Sequence, residues 1–297
     1  MKKLLPGLAA ALLFAGCQPD GPIQLGFQLP EGKTVRYTTE AQQTIDQTVM
    51  GQTLSVKQST GFDMLYKVTA VNGNSRDVDV TYDRVRLSTN ATGKELKWDS
   101  RDTAGNDPAF AVMGAMTGKS FQITVARDGQ IERVTGFTEL LNGLIGDPTD
   151  PTAALMRQQL EPLFSDAAVR QTLEQNTHIY PDQPVKKGDT WERTMTSSMG
   201  PIVLTIHNTY RLEKATSTHA TVSVKGDITG ATGATPVEGM QVHLKGTQTG
   251  TLNMEIATGM VEKMNYTQNI DGAMEIQNMK VPMKIQTTGT VSGSGVK

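Results

Sequence analysis

Residues 118–137, GKSFQITVARDGQIERVTGF, carry the pattern that decides the fold. Phe121, Ile123 and Val125 alternate with polar neighbours, Asp128-Gly129 follows, and a second run begins at Gln130. Asp-Gly between two alternating runs is a strong hairpin signal, because such turns require positive φ and glycine accepts it. The same period of two recurs elsewhere. RDVDVTY places Val78, Val80 and Tyr82 on one face, PIVLTIH aligns Ile202, Leu204 and Ile206, and TLNMEI aligns Leu252, Met254 and Ile256. Alternation of this kind predicts strands with one face on a core and one in water. The chain therefore reads as mainly β, in the α+β class.

One region departs from this rhythm. Residues 136–176 read as a helical insert of two or three short helices, the first with Leu140, Leu141, Leu144 and Ile145 as its apolar stripe. A shorter helix is expected around 108–116. The strand blocks on either side, 31–135 and 177–297, echo each other as pseudo-repeated halves. GKTVRYTTE from Gly32 parallels GDTWERTMT from Gly188, and YKVTAVNGNSRDVDV from Tyr66 parallels YRLEKATSTHATVSV from Tyr210. The paired landmarks stand 34 and 22 residues apart. The blocks would build either one long curved sheet or two similar lobes.

The amino terminus reads as an export signal. Lys2 and Lys3 precede the apolar run LLPGLAAALLFA, which is shorter than the roughly 20 residues a bilayer span needs. The four residues FAGC, 14–17, resemble the lipobox of bacterial lipoproteins. The resemblance implies a signal peptide over 1–16, cleavage before Cys17, and acylation of its thiol. Cys17 is the only cysteine, so it has no partner for an intramolecular disulfide, and lipidation accounts for it. Two or three acyl chains anchor a protein firmly. Gln18 in the next position implies the outer membrane, by the sorting rule of enteric bacteria. Residues 17–30, with closely spaced Pro and Gly, read as a lipidated tether ahead of a single β-rich domain over 31–297.

The segment YPDQPVKKGDTWERTM, 180–195, resembles a signature of uncharacterised bacterial lipoproteins of similar length, P-x-x-x-V-x-x-G-D-x-W, which opens their second set of strands. Residues 118–137 also fit that family's strand, turn, strand and helix start. The resemblance implies a large antiparallel sheet, curled like an unclosed barrel, with helices against its concave side. Its outline is similar to envelope lipoprotein carriers and receptors that handle acylated molecules. It carries no catalytic residues with it.

Composition and motifs narrow the function classes. A formal charge of −2, with 5 % aromatic residues, offers neither the basic stripe nor the stacking surface of a nucleic-acid binder. No nucleophile elbow, zinc helix or phosphate loop is present. His178, His207, His219 and His243 share no ligand spacing, and no metal or cofactor is expected. Asp99, Asp102 and Asp107 form an acidic loop without the alternate-residue rhythm of a calcium site. Seven methionines fall in the last sixty residues. Met254, Met264, Met274 and Met283 are the candidate lining of an apolar space, because thioethers adapt to varied partners. A gap of several hundred cubic ångströms between these strands and the helices would hold an acyl chain. The expected function is a membrane-anchored envelope lipoprotein, non-enzymatic, attached to the membrane through Cys17 and holding a lipid or other apolar ligand. The alternative is a structural or assembly lipoprotein that binds an envelope protein.

Overall fold

The computed structural model describes residues 21–91, 93–102, 111–145, 149–150, 154, 165–199, 202–233, 239–277 and 279–296. Residues 1–16, expected to be a signal peptide, lie outside these residues, as do Cys17 and Asp107.

The sequence folds as the alternation predicts. In chain order the strands are β1 (Thr34–Val49), β2 (Gln52–Asn72), β3 (Ser75–Ala91), β4 (Lys94–Asp99), β5 (Ser120–Val125), β6 (Ile131–Thr135), β7 (Thr190–Met199), β8 (Ile202–Ala215), β9 (His219–Thr232), β10 (Met240–Glu255), β11 (Val261–Ile276) and β12 (Met279–Val296). The described helices are α1 (Ala111–Met116), α2 (Phe137–Ile145) and α3 (Asp166–Thr177). All twelve strands join one antiparallel sheet in the order β6-β5-β3-β2-β1-β12-β11-β10-β9-β8-β7, with β4 pairing β3 beside β5. The mainly β sheet is curled and unclosed, with a short helical insert.

The helix α3 occupies the gap between the two sheet edges. Glu174 Oε1 accepts the Ile131 N–H of β6 at 3.0 Å, and Gln175 Nε2 donates to the Thr196 carbonyl of β7 at 3.4 Å. Gln171 also donates to the Thr196 hydroxyl. A helix about 10 Å across thus bridges edge strands that would otherwise expose unpaired backbone. Ser165 caps it, accepting the Ala168 N–H at 3.2 Å. Val169 and Leu173 point into the core, and Phe137 of α2 packs edge-on against Phe121 of β5 at 5.1 Å.

The two strand blocks are repeated halves of one sheet. Gly32 and Gly188, with φ of 78° and 94°, donate to the carbonyls of Val68 and Leu212 at 2.9 and 2.8 Å. Tyr66 pairs with Val80 as Tyr210 pairs with Val224, and bulges follow at Val68/Ala70 and Leu212/Lys214. The correspondence runs on into the next hairpins, which bulge at Thr124/Val125 and Asn253/Met254 and turn at Gly129 and Gly259. Strands β1-β2-β3-β5-β6 therefore match β7-β8-β9-β10-β11. The unequal landmark spacing comes from the longer β1–β2 hairpin. Among the described strands β4 and β12 have no counterpart, and β12 joins β1 to β11.

One expectation is corrected here. Of the expected tether over 17–30, residues 23–30 are a strap built into the core, with Leu25, Phe27 and Leu29 at 0, 2 and 1 % exposure. Ile23 pairs with Val185, the Phe27 N–H reaches the Arg127 carbonyl at 2.7 Å, and the Gln28 N–H reaches the Thr258 carbonyl at 2.8 Å. The strap thus crosses the base of the sheet and ties together the equivalent hairpins of both halves. Its physical cause is the apolar alternation of Ile23, Leu25, Phe27 and Leu29 between Pro22 and Pro30, a strand's period without a full strand partner.

Inside the curl the apolar side chains form two clusters. The larger fills the base around Leu25, Tyr66, Val80, Tyr180, Trp191 and Tyr210. The smaller sits toward the far end on β7 to β12, around Ile206, Ile228, Leu244, Ile270, Met283 and Ile285. On the outer face β1 to β4 are laced by ion pairs, including a two-pronged contact from Arg86 to Asp63, both bonds at 3.0 Å.

Candidate functional site

The boundary between the two clusters is polar. In β8 the inward positions read Ile206, Asn208, Tyr210; in β10, Leu244, Gly246, Gln248, Gly250, Leu252; in β12, Ile285, Thr287, Gly289, Val291. Each strand thus breaks its apolar row near the same level. The registers place the polar residues directly opposite one another. Asn208 faces Gly226, Gly226 faces Gln248, Gln248 faces Gln268, Gln268 faces Thr287, and Thr287 faces Gln43. The row therefore crosses six adjacent strands on the inner wall, five of them supplying an amide or hydroxyl side chain and β9 a glycine.

Hydrogen bonds fix most of the row. Gln268 Nε2 donates to Gln248 Oε1 at 2.6 Å, Gln248 Nε2 donates to Asn208 Oδ1 at 3.1 Å, and Asn208 Nδ2 points at Met195 Sδ at 3.6 Å. Gln43 Nε2 donates to Thr287 Oγ1 at 3.2 Å. Such chaining is what buried amides require, since an unpaired one costs about 1–3 kcal/mol. Two glycines make room for it. A Cβ at Gly226 would lie 2.2 Å from Asn208 Oδ1, and one at Gly289 would lie 2.1 Å from the Tyr266 ring.

Against the row lies a chamber of about 220 Å³. Gln43, Gln248, Gln268 and Thr287 line one side, Gln175 and Asn176 of α3 the other, and Met195, Met264 and Tyr266 supply apolar surface. Burial pushes the Tyr266 phenol above its ordinary value, so it stays neutral. The lining thus carries donors and acceptors but no side chain charged at neutral pH. A neutral ligand with both hydrogen-bonding groups and apolar surface fits this chemistry, whereas an ion would find no countercharge.

The four methionines singled out by sequence are not brought together. Met264 lines the chamber, Met254 is buried in the base cluster, and Met283 belongs to the far cluster with Met274 packed against it. Met264 also borders an apolar cleft of about 30 Å³ beside Tyr37, Tyr66 and Tyr180. Met195 joins the chamber without having stood out in the sequence. The histidines are dispersed: His178 meets Asp128 at 3.2 Å, His219 meets Glu262 at 3.2 Å, and His207 meets Thr194 at 2.9 Å. In the acidic loop Asp99 is engaged by Arg84, which holds its carboxyl below the usual range.

The outer wall is as polar as the chamber. Outward positions of β10 are Gln241, His243, Lys245, Thr247, Thr249, Thr251 and Asn253. A strand crossing a bilayer carries the reverse pattern, apolar outside and polar inside. The fold and site together define a helix-bridged, open β-cylinder with a water-facing exterior and an amide-walled interior chamber.

Residues 73–261 match the family described as "Family of unknown function (DUF6263)", and the chain belongs to that family. No curated protein matches it. Among solved structures, the COG4313 outer membrane channel from Pseudomonas putida F1 aligns at 10 % identity over 94 % of this chain and 100 % of its own, with a TM-score of 0.26. A DUF1329 family protein from Desulfovibrio piger aligns at 8 % identity over 86 % of this chain and 83 % of its own, with a TM-score of 0.14. Likenesses this faint carry no argument about this chain.

Proposed function

We propose that this protein is a lipid-anchored binding protein of the bacterial cell envelope, held at the outer membrane through Cys17. It takes a small neutral ligand, part apolar and part hydrogen-bonding, into the chamber. The carrying observation is the amide row from Asn208 to Gln43, set across the chamber from Gln175 and Asn176. Binding rather than catalysis is the reading, because amides and aliphatic hydroxyls are not general acids or bases near neutral pH, and burial holds the Tyr266 phenol neutral. The lipobox-like FAGC supports the anchor, and the polar outer wall fits a cylinder that stands in water beside a membrane.

Native mass spectrometry of protein purified from the envelope tests the reading. The parent should carry a small-molecule adduct, and Met264→Trp, which grows into the chamber, should reduce its occupancy while leaving the fold intact. A parent without adduct, together with a Met264→Trp variant destabilised by about 1–3 kcal/mol through overpacking, would overturn the binding role. Fatty-acid labelling tests the anchor separately: Cys17→Ser should abolish it.

A second reading, assembly with an envelope protein, draws on the tip of the β1–β2 hairpin. Val49, Met50 and Leu54 are exposed there, Met50 at 92 %. A co-purifying protein chain in place of a small adduct would favour it.

A further inference from the structure

The base of the cylinder carries cations that the fold does not neutralise. Arg76, opposite Val125 at the start of β3, donates to the carbonyls of Leu29 at 3.4 Å and Gly73 at 3.1 Å. Arg127, in the β5–β6 turn, lies against Gly26, where an added Cβ would stand 2.7 Å from Arg127 Cγ. The two guanidinium groups therefore flank the same strap. Among the described residues neither has a carboxylate within ion-pair distance. Arg127 Nε is buried without any hydrogen-bond partner. Burial, and then the charge of Arg127, weaken the hold of Arg76 on its proton. Placing two like charges together is unfavourable unless an anion joins them.

Further cations stand at the same end. Lys33 precedes β1, and Lys186 and Lys187 directly follow Val185, the strap's pairing partner. Three of the local acids are already engaged: Asp128 faces His178, Asp182 binds Arg193, and Asp189 accepts the Lys186 N–H. Glu31 is exposed beside them.

We propose that this end is a membrane-facing surface on which Arg76 and Arg127 bind the phosphate of anionic lipid headgroups. For its occupant the inference rests on the reading of Cys17 as the lipid anchor. Only four residue steps separate Cys17 from Gly21, a reach of about 14 Å even when fully extended. The strap begins at once after Pro22, so little slack remains between anchor and base. An anchored cylinder must therefore present its base to the headgroups, within range of electrostatic attraction.

The test uses residues 18–297, which hold every contact described above, and vesicles of phosphatidylcholine alone or mixed with phosphatidylglycerol. Binding should favour the mixed vesicles and weaken with added salt. The Arg76→Gln, Arg127→Gln double variant should bind them about 25-fold more weakly, near fivefold for each charge removed. The Arg76→Lys, Arg127→Lys variant should keep most of the binding, and Lys245→Gln, far from the base, should keep all of it. Equal binding of the parent to both vesicle types would overturn the proposal. So would equal losses in the glutamine and lysine variants, which would assign the arginines to packing of the strap. Retention on polyglutamate without vesicle preference would point to an acidic protein instead and overturn it too. Labelling of Cys17 without vesicle preference would leave the anchor standing and this surface refuted, and the opposite pair of results would do the reverse.

Discussion

Gly259→Ala should cost about 4 kcal/mol or more in stability and leave little folded protein at growth temperature. Gly259 turns the β10–β11 hairpin with φ of 71°, a conformation that costs a residue with a Cβ about 1–2 kcal/mol by itself. The added methyl would also stand 1.8 Å from the Gly26 carbonyl oxygen and 2.6 Å from its carbon. Those are main-chain atoms of the strap, and no side-chain rotation relieves the overlap. The Gly259 carbonyl meanwhile accepts the buried Tyr180 hydroxyl at 2.6 Å, so any shift of the turn breaks that bond too. Gly129, its equivalent in the first half, would place a Cβ 1.6 Å from the Thr177 carbonyl and should behave alike. Gly143 in α2 meets nothing within 4 Å, and Gly143→Ala should stabilise by about 0.5–1 kcal/mol through helix propensity. Urea melts of the three variants check the contrast. A Gly259→Ala protein as stable as the parent would show that the strap does not lie where described.

The second large effect concerns the strap itself. Phe27→Ala should destabilise by about 3–5 kcal/mol, the usual range for removing a fully buried phenylalanine ring. The loss falls where the two halves are tied, because the N–H groups of Phe27 and Gln28 bond to one hairpin each. A chain starting at residue 31 should fare worse, losing Leu25, Phe27 and Leu29 together. A chain starting at residue 21 should melt like the parent. Thermal denaturation followed by circular dichroism separates the cases. A chain from residue 31 that melts cooperatively near the parent temperature would return the segment to the status of a tether.

The sheet was legible because its signal is periodic. Val78, Val80 and Tyr82, or Ile202, Leu204 and Ile206, repeat every second residue and need no tertiary information to interpret. The duplication was legible through landmarks such as Gly32 and Gly188, whose turn geometry is local. The strap was not, because Pro22, Gly26 and Pro30 mask a short apolar alternation whose meaning depends on distant hairpins, reached at Arg127 and Thr258. The chamber was hidden for a related reason. A glutamine at an inward position, such as Gln248 between Leu244 and Leu252, reads as a blemish in one strand. Only the registers show that Asn208, Gln268, Thr287 and Gln43 stand at its level in neighbouring strands. The methionine cluster was a feature of sequence distance alone, and the sheet spreads it between two cores. For α3 the apolar positions Val169 and Leu173 stand four residues apart on one helix face, while its place between β6 and β7 depends on how far the sheet curls.

The position of β12 has a consequence for timing. It is made after the other eleven described strands, yet it lies in the middle of the sheet, paired with β1 from Thr34↔Val296 to Gln47↔Met283. Until residue 296 has emerged, β1 has no neighbour on that side, and a strand of sixteen residues waits with its hydrogen-bonding groups open. Long unpaired edges invite pairing with the wrong chain. The sequence of β1, TVRYTTEAQQTIDQTV, is poor in apolar residues beyond Tyr37 and carries Glu40 and Asp46. Such an edge stays soluble while it waits, so the cylinder completes itself only when β12 has been delivered.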